Sequence, residues 1–178
     1  MSRTNPYKKK RRSAKRTLLM YGEGLGEEMF LKHLRSLYAY NSGVSVTIRN
    51  GKGGNAKSIV INAINEPGDF ERRIVILDND KNQREMSQAR DEAKKKGVEI
   101  FENSPCLEAT LLSILRLRQN FSTKQATWCK SEFETNYMDK KKRTELAEYG
   151  KIFSKQTLDA QRTKIVGLNT LISIMENN

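Results

Sequence analysis

The chain has 178 residues, 33 of them lysine or arginine against 21 aspartate or glutamate, for a formal charge of +12, and 37% of its residues are hydrophobic. That length predicts one domain, and no apolar run approaches the ~20 residues that a membrane-spanning helix requires. Two cysteines, Cys106 and Cys129, and one histidine, His33, are too few for a disulfide framework or a Cys/His zinc site; with no signal-peptide core around Leu18 to Tyr21, the expectation is a reduced, cytoplasmic protein with no membrane partner.

The charge is unevenly spread. The first 16 residues carry Arg3, Lys8, Lys9, Lys10, Arg11, Arg12, Lys15 and Arg16 and no acid; removing those eight from the 33 leaves 25 bases against 21 acids. The composition of residues 1–16 predicts a basic, flexible tail. Lys8, Lys9, Lys10, Arg11 and Arg12 are candidates to contact nucleic acid, because cations paired with phosphates release condensed counterions and give salt-sensitive, sequence-independent attraction. A solubilising tail, or one that touches ribosomes or a membrane surface, has the same composition.

Beyond the tail, Thr17 to Tyr21 is an apolar run closed by Gly22, which predicts a buried strand. Met29, Phe30, Leu34, Leu37 and Tyr38 recur every three or four residues and predict a helix over Glu27–Tyr40. Val44–Arg49 alternates and is β-branched, a strand. A helix over Lys57–Asn65, an apolar strand over Arg73–Asp80, a charged helix over Arg84–Lys96 and a strand over Val98–Phe101 follow. Alternation at this pitch predicts an α/β fold with a largely parallel sheet flanked by helices. From there the pattern is helical only, over Leu107–Leu117, Lys124–Tyr137, Lys142–Ile152 and Asn169–Glu176. The expected organisation is a core over 17–120 and a helical extension over 121–178 packed on the same domain.

In open α/β sheets ligands bind beyond the carboxyl ends of the strands. Those positions are acidic here: Glu23 and Glu27 after the first strand, Asp78 and Asp80 at the end of the third, and Glu102 leading to Glu108 after the fourth. Crowded carboxylates raise one another's pKa unless a cation neutralises them, and hard oxygen donors select Mg²⁺ or Mn²⁺. Residues two apart on an extended segment project to one side, so Asp78 and Asp80 are expected to act together. Gly22 and Gly24 are expected to permit the turn that presents Glu23. Each element also has an ordinary reading as a polar turn, a cap or a partner of a helix dipole.

The segments TLLMYGEGLGEEMF, VILDNDKN and NSPCLEATLL resemble the successive motifs of the TOPRIM domains of RloB-like proteins, over roughly Thr17 to Leu115. The resemblance implies a TOPRIM-like, Rossmann-like fold in which Glu23, Asp78 and Asp80 coordinate Mg²⁺, two ions being the expected number. It implies supporting roles for Glu27 and Glu108. RloB-like proteins are associated with prokaryotic restriction and phage-defence loci, so the implied activity is a nuclease acting on RNA, tRNA included, or DNA. The alternative is an inactive nucleic-acid-binding or assembly subunit. The chain departs from the family pattern at Gly26, where threonine is usual, and at Leu107, where an aromatic residue is common. It has no Walker A motif, so any ATPase would be a separate partner subunit, and a homo-oligomer is compatible with the chain.

The loop Arg49 to Asn55 (RNGKGGN) offers glycine N–H groups and two cations at the end of the second strand. Lys52 is the candidate for a scissile-phosphate contact and Arg49 the weaker one, although GKGG lacks the spacing and the Ser/Thr of a P-loop. His33 reads as a surface or partly buried side chain, and Cys106 as a packing residue. The clusters at 94–96 and 140–143 read as solvated helix faces, the second with the option of extending a nucleic-acid track.

Overall fold

The computed structural model describes residues 16–116 and 119–177. Lys8, Lys9, Lys10, Arg11 and Arg12 therefore lie outside the described residues. Strands β1 (Arg16–Gly22), β2 (Val44–Asn50), β3 (Arg72–Asp78) and β4 (Glu99–Asn103) alternate with helices α1 (Leu25–Tyr38), α2 (Ala56–Asn65) and α3 (Gln83–Lys96). Five further helices follow: α4 (Leu107–Leu115), α5 (Ala126–Asn136), α6 (Leu146–Ile152), α7 (Lys155–Arg162) and α8 (Val166–Glu176), with a short 3-10 helix, Lys140–Thr144, before α6. The four strands are all parallel, in the order β2-β1-β3-β4, an α/β arrangement consistent with a Rossmann-like fold. No helix among the described residues is long and apolar enough to cross a membrane.

Strand alternation sorts the core into two layers. Leu18 and Met20 of β1, Val46 and Ile48 of β2 and Ile74 and Ile76 of β3 face one side, against α1 and the helices after β4. Leu19, Tyr21, Val75 and Leu77 face the other, against Ile59 and Val60 of α2 and Met86 and Ala89 of α3. Continuous apolar runs with both faces covered are the signature of a buried parallel sheet. On the first side Phe30, Phe133, Tyr149 and Phe153 form a ring cluster with centroids 5.6 to 6.4 Å apart. Burial of each such ring stabilises the fold by roughly 1.5–3 kcal/mol.

Three differences from the sequence expectation have physical causes. Arg16 belongs to β1 rather than to a tail: it pairs in register with Val44, and its Nη1 donates to Asn177 Oδ1 at 3.0 Å. The segment expected as one helix over Lys142–Ile152 is two, because the backbone is extended at Glu145 between the 3-10 turn and α6. Helix α7 was not expected. It is capped by Ser154, whose side chain accepts the Thr157 N–H at 3.2 Å, and it buries only Leu158 and Gln161, too few positions to make a readable period.

Candidate functional site

The chain leaves β1 for β2 on one side and returns across β1 to place β3 on the other. The strand order therefore reverses between β1 and β3, the crevice where open α/β sheets bind ligands. Glu23, Asp78 and Asp80 stand at this crevice. The Asp78 N–H donates to Glu23 Oε2 at 3.2 Å, and Lys81 Nζ lies 2.8 Å from Glu23 Oε1. Asp78 is 5% exposed, and its Oδ1 accepts the Leu107 N–H at 2.9 Å and Asn103 Nδ2–H at 3.4 Å. Strand β3 ends at Asp78, so the turn that follows, and not an extended segment, carries Asp80. The two aspartates still converge. Lys130 Nζ from α5 lies 3.5 Å from Asp78 Oδ2 and 2.9 Å from Asp80 Oδ2.

Glu27 enters from the first turn of α1. Its Oε2 accepts the Gly24 N–H at 2.9 Å, which closes the helix start, and the residue is buried. A Cβ at Gly22 would lie 2.6 Å from Glu27 Cβ, and one at Gly24 would lie 3.3 Å from Glu27 Oε2. Neither glycine has a positive φ. These glycines thus admit the close approach of Glu27, and the expected reason, a special turn conformation for Glu23, is replaced by that contact.

Glu108 projects from the first turn of α4 and is buried. Its Oε1 is 3.0 Å from Arg143 Nη1, while its Oε2 has no hydrogen-bond partner. Arg143 comes from the 3-10 helix. Its Nη2 is 3.2 Å from Glu134 Oε1 but is too poorly aligned to hydrogen-bond. The cluster at 140–143 is therefore split: Lys140, Lys141 and Lys142 are exposed, and Arg143 turns inward.

The electrostatic consequence is marked. Burial, then the charges of Glu27, Glu108 and Glu23, push Asp78 up to about 8 against the opposing pull of Lys130. Burial also raises Glu27, with Glu108 and Glu23 adding to it. Burial alone would lower Lys130, but its hydrogen bond to Asp80 and the surrounding carboxylates outweigh it and hold the ammonium protonated. Buried Tyr149 is raised first by burial and then by Glu27 and Glu108, with Arg143 opposing, which places its phenol near the same acids. As they stand, no three or more His, Cys, Asp or Glu side chains among the described residues form a group that could hold a metal ion. The donors available are nonetheless all hard oxygens, and Glu108 Oε2 is a buried acceptor without a donor, a combination that suits a hard divalent cation.

The glycine loop reaches the same edge: the Gly51 N–H donates to the Gly22 carbonyl and the Gly53 N–H to the Glu23 carbonyl, each at 2.8 Å. Lys52 is exposed there, in a left-handed conformation with φ 57°. Arg49 instead pairs with Glu66 at 2.8 Å. His33 and Cys106 stay outside the chemistry. His33 Nε2 donates to the Phe153 carbonyl at 2.7 Å, and burial holds its pKa down; Cys106 is fully buried, and burial pushes its thiol up. The residues 94–96 are exposed, as expected of a solvated face. Sequence reasoning missed Lys81, Lys130, Arg143 and Asn103 as members of the site. Comparison with models of protein families, with curated proteins and with solved structures finds no match to the chain.

Proposed function

We propose that this chain is a Mg²⁺- or Mn²⁺-dependent nuclease of the TOPRIM, RloB-like kind, hydrolysing phosphodiester bonds of RNA or DNA in phage defence. One observation carries the reading: the carboxylates of Glu23, Glu27, Asp78, Asp80 and Glu108, from three stretches of the chain, lie around the switch point of the sheet, where Lys81, Lys130 and Arg143 are the cations paired with them among the described residues. Glu23, Asp78 and Asp80 would hold the metal. Two ions held there would supply an activated water and stabilise the leaving oxygen.

The chain's own groups do the positioning. Lys81 and the Asp78 N–H orient Glu23, and the Leu107 N–H and Asn103 orient Asp78. Glu27, with its raised affinity for a proton, is suited to accept one from the attacking water, and Glu108 is suited to orient that water or complete the donor set. Lys52, exposed at the same edge, would meet a phosphate. Lys130 must give up its hold on Asp78 and Asp80 before those carboxylates can act. The basic N-terminal residues would add salt-sensitive affinity.

The bridge that Lys130 makes between Asp78 and Asp80 is the one observation that favours the second reading, a site closed by its own cations in a non-catalytic binding or assembly subunit. The test is incubation of the purified chain with labelled tRNA, single-stranded RNA and plasmid DNA in Mg²⁺, Mn²⁺ or EDTA, beside a Glu23→Ala/Asp78→Ala variant. Metal-dependent cutting that the variant loses supports the nuclease. Equal cutting by the variant overturns the site assignment, and binding without cutting favours the second reading.

A further inference from the structure

A cleft of about 770 Å³ opens beside the carboxylate cluster, between the end of β4, α4 and the turn that joins α7 to α8. Its size falls in the range of about 300–1,000 Å³ usual for small-ligand sites. Ser104 on its wall follows Asn103, which hydrogen-bonds Asp78, and Ala109 follows Glu108, so the cleft borders the proposed cutting site.

Three features of the cleft point to one ligand chemistry. Helix α8 begins into it with Ile165 at its N-cap and no side-chain cap, an arrangement that favours an anion, and Gly167 in its first turn packs against Phe101, whose Cζ would lie 3.1 Å from a Cβ there. Gln161 is 6% exposed and lines the cleft, yet its amide has no hydrogen-bond partner among the described residues. An amide that reaches the cleft with a donor and an acceptor side by side matches the edge of a nucleobase. Lys164 adds a cation with no carboxylate partner among the described residues, and the half-buried ring of Phe101 offers an apolar surface on the same wall. A phosphate alone would leave Gln161 and Phe101 unused, and an apolar ligand would leave Gln161, Lys164 and the helix end unused.

We propose that this cleft is a subsite for one unpaired nucleotide, its phosphate held at the N-terminal turn of α8 beside Lys164 and its base against Phe101 and the Gln161 amide. The nucleotide can come from a single-stranded stretch of the substrate or from a free mononucleotide. Only the first source rests on the nuclease reading.

The test is binding in EDTA, where no metal-dependent turnover contributes. A labelled single-stranded octanucleotide, a blunt duplex, nucleoside monophosphates and inorganic phosphate are titrated into the full chain by anisotropy, calorimetry and the fluorescence of Trp128. That tryptophan, the only one in the chain, stacks on Phe121, whose neighbours Asn120 and Ser122 border the cleft. The variants are Gln161→Leu/Lys164→Ala and Gln161→Glu, the second of which keeps the side-chain shape and adds a repelling charge. The expected result is a loss of about tenfold or more, worth about 1.4 kcal/mol, in octanucleotide binding in both variants, with duplex binding unchanged. A matching loss for monophosphates, with the octanucleotide unaffected, supports the subsite and assigns it to a free nucleotide. Unchanged binding of both, in variants whose melting temperature matches wild type, overturns the proposal. A chain that shows the expected losses in EDTA but never cuts with metal keeps the cleft and refutes the nuclease; one that cuts, with binding intact in the variants, does the reverse.

Discussion

Replacing Asp78 with asparagine should make the metal-free protein more stable at neutral pH, with the gain growing as pH rises. Folded Asp78 takes its proton up to about 8, while in the unfolded chain it ionises in the usual carboxylate range near 3.8. Its contribution to stability is therefore fully present below pH 4. It is lost progressively as pH rises toward 8, and changes no further above that. Where the carboxyl is protonated folded and ionised unfolded, the loss approaches about 1.4 kcal/mol per pH unit. For a chain of this size that corresponds to a melting temperature falling roughly 3–5 °C per pH unit. Asparagine keeps an Oδ1 acceptor for the Leu107 N–H and cannot ionise. It also relieves Glu27, Glu108 and Glu23, so the difference between wild type and variant reads Asp78 together with the acids it repels. Thermal and urea unfolding in EDTA at pH 5, 6, 7 and 8 is the assay. Parallel curves for the two proteins across that range would show that Asp78 is not under this electrostatic load.

Lys130→Ala should lower the stability of the metal-free chain by about 1–3 kcal/mol, since it leaves Asp78 and Asp80 without their shared cation, and should enlarge the stabilisation given by saturating Mg²⁺. Equal Mg²⁺ shifts in variant and wild type would speak against competition between Lys130 and a metal. Gly22→Ala should cost about 1–3 kcal/mol in urea unfolding, because the new Cβ meets Glu27 Cβ, and Gly24→Ala should cost less; the reverse order would contradict the close-approach argument. Phe153→Ala should cost about 3–5 kcal/mol by the same measurement, because it removes a fully buried ring from the Phe30, Phe133 and Tyr149 cluster. A cost below 1 kcal/mol would mean that the cluster collapses into the gap.

The sheet was legible because its strands are short apolar runs, and each helix between strands carries either a clear period or a stop such as Gly97, whose φ of 67° ends α3. The acids were legible for a related reason: once the strands are placed, whatever follows them lies at the carboxyl edge. Two lines of the site were not. Lys130 stands 50 residues beyond Asp80 on a helix whose sequence says nothing of which turn of the sheet it will face. Arg143 ends a run of four cations, and nothing local separates the one that folds inward from the three that stay in water. The expected extended D-x-D geometry failed for a different reason. Asp78 pairs with Asn103 as the last residue of β3, so the strand stops two residues before the motif is complete.

The ring cluster has a consequence for dissecting the protein. The core residues under β1 and β2 belong to one continuous set that runs from Leu18 to Met175, so the helices after residue 120 pack into the same core as Phe30, Leu34 and Ile48. A fragment cut back to β1 through α4 would keep all five acids and yet present a whole face of its sheet, stripped of cover, to solvent and to other copies of itself. Shortened versions are therefore expected to aggregate, and residues 16–177 are the unit to produce and assay.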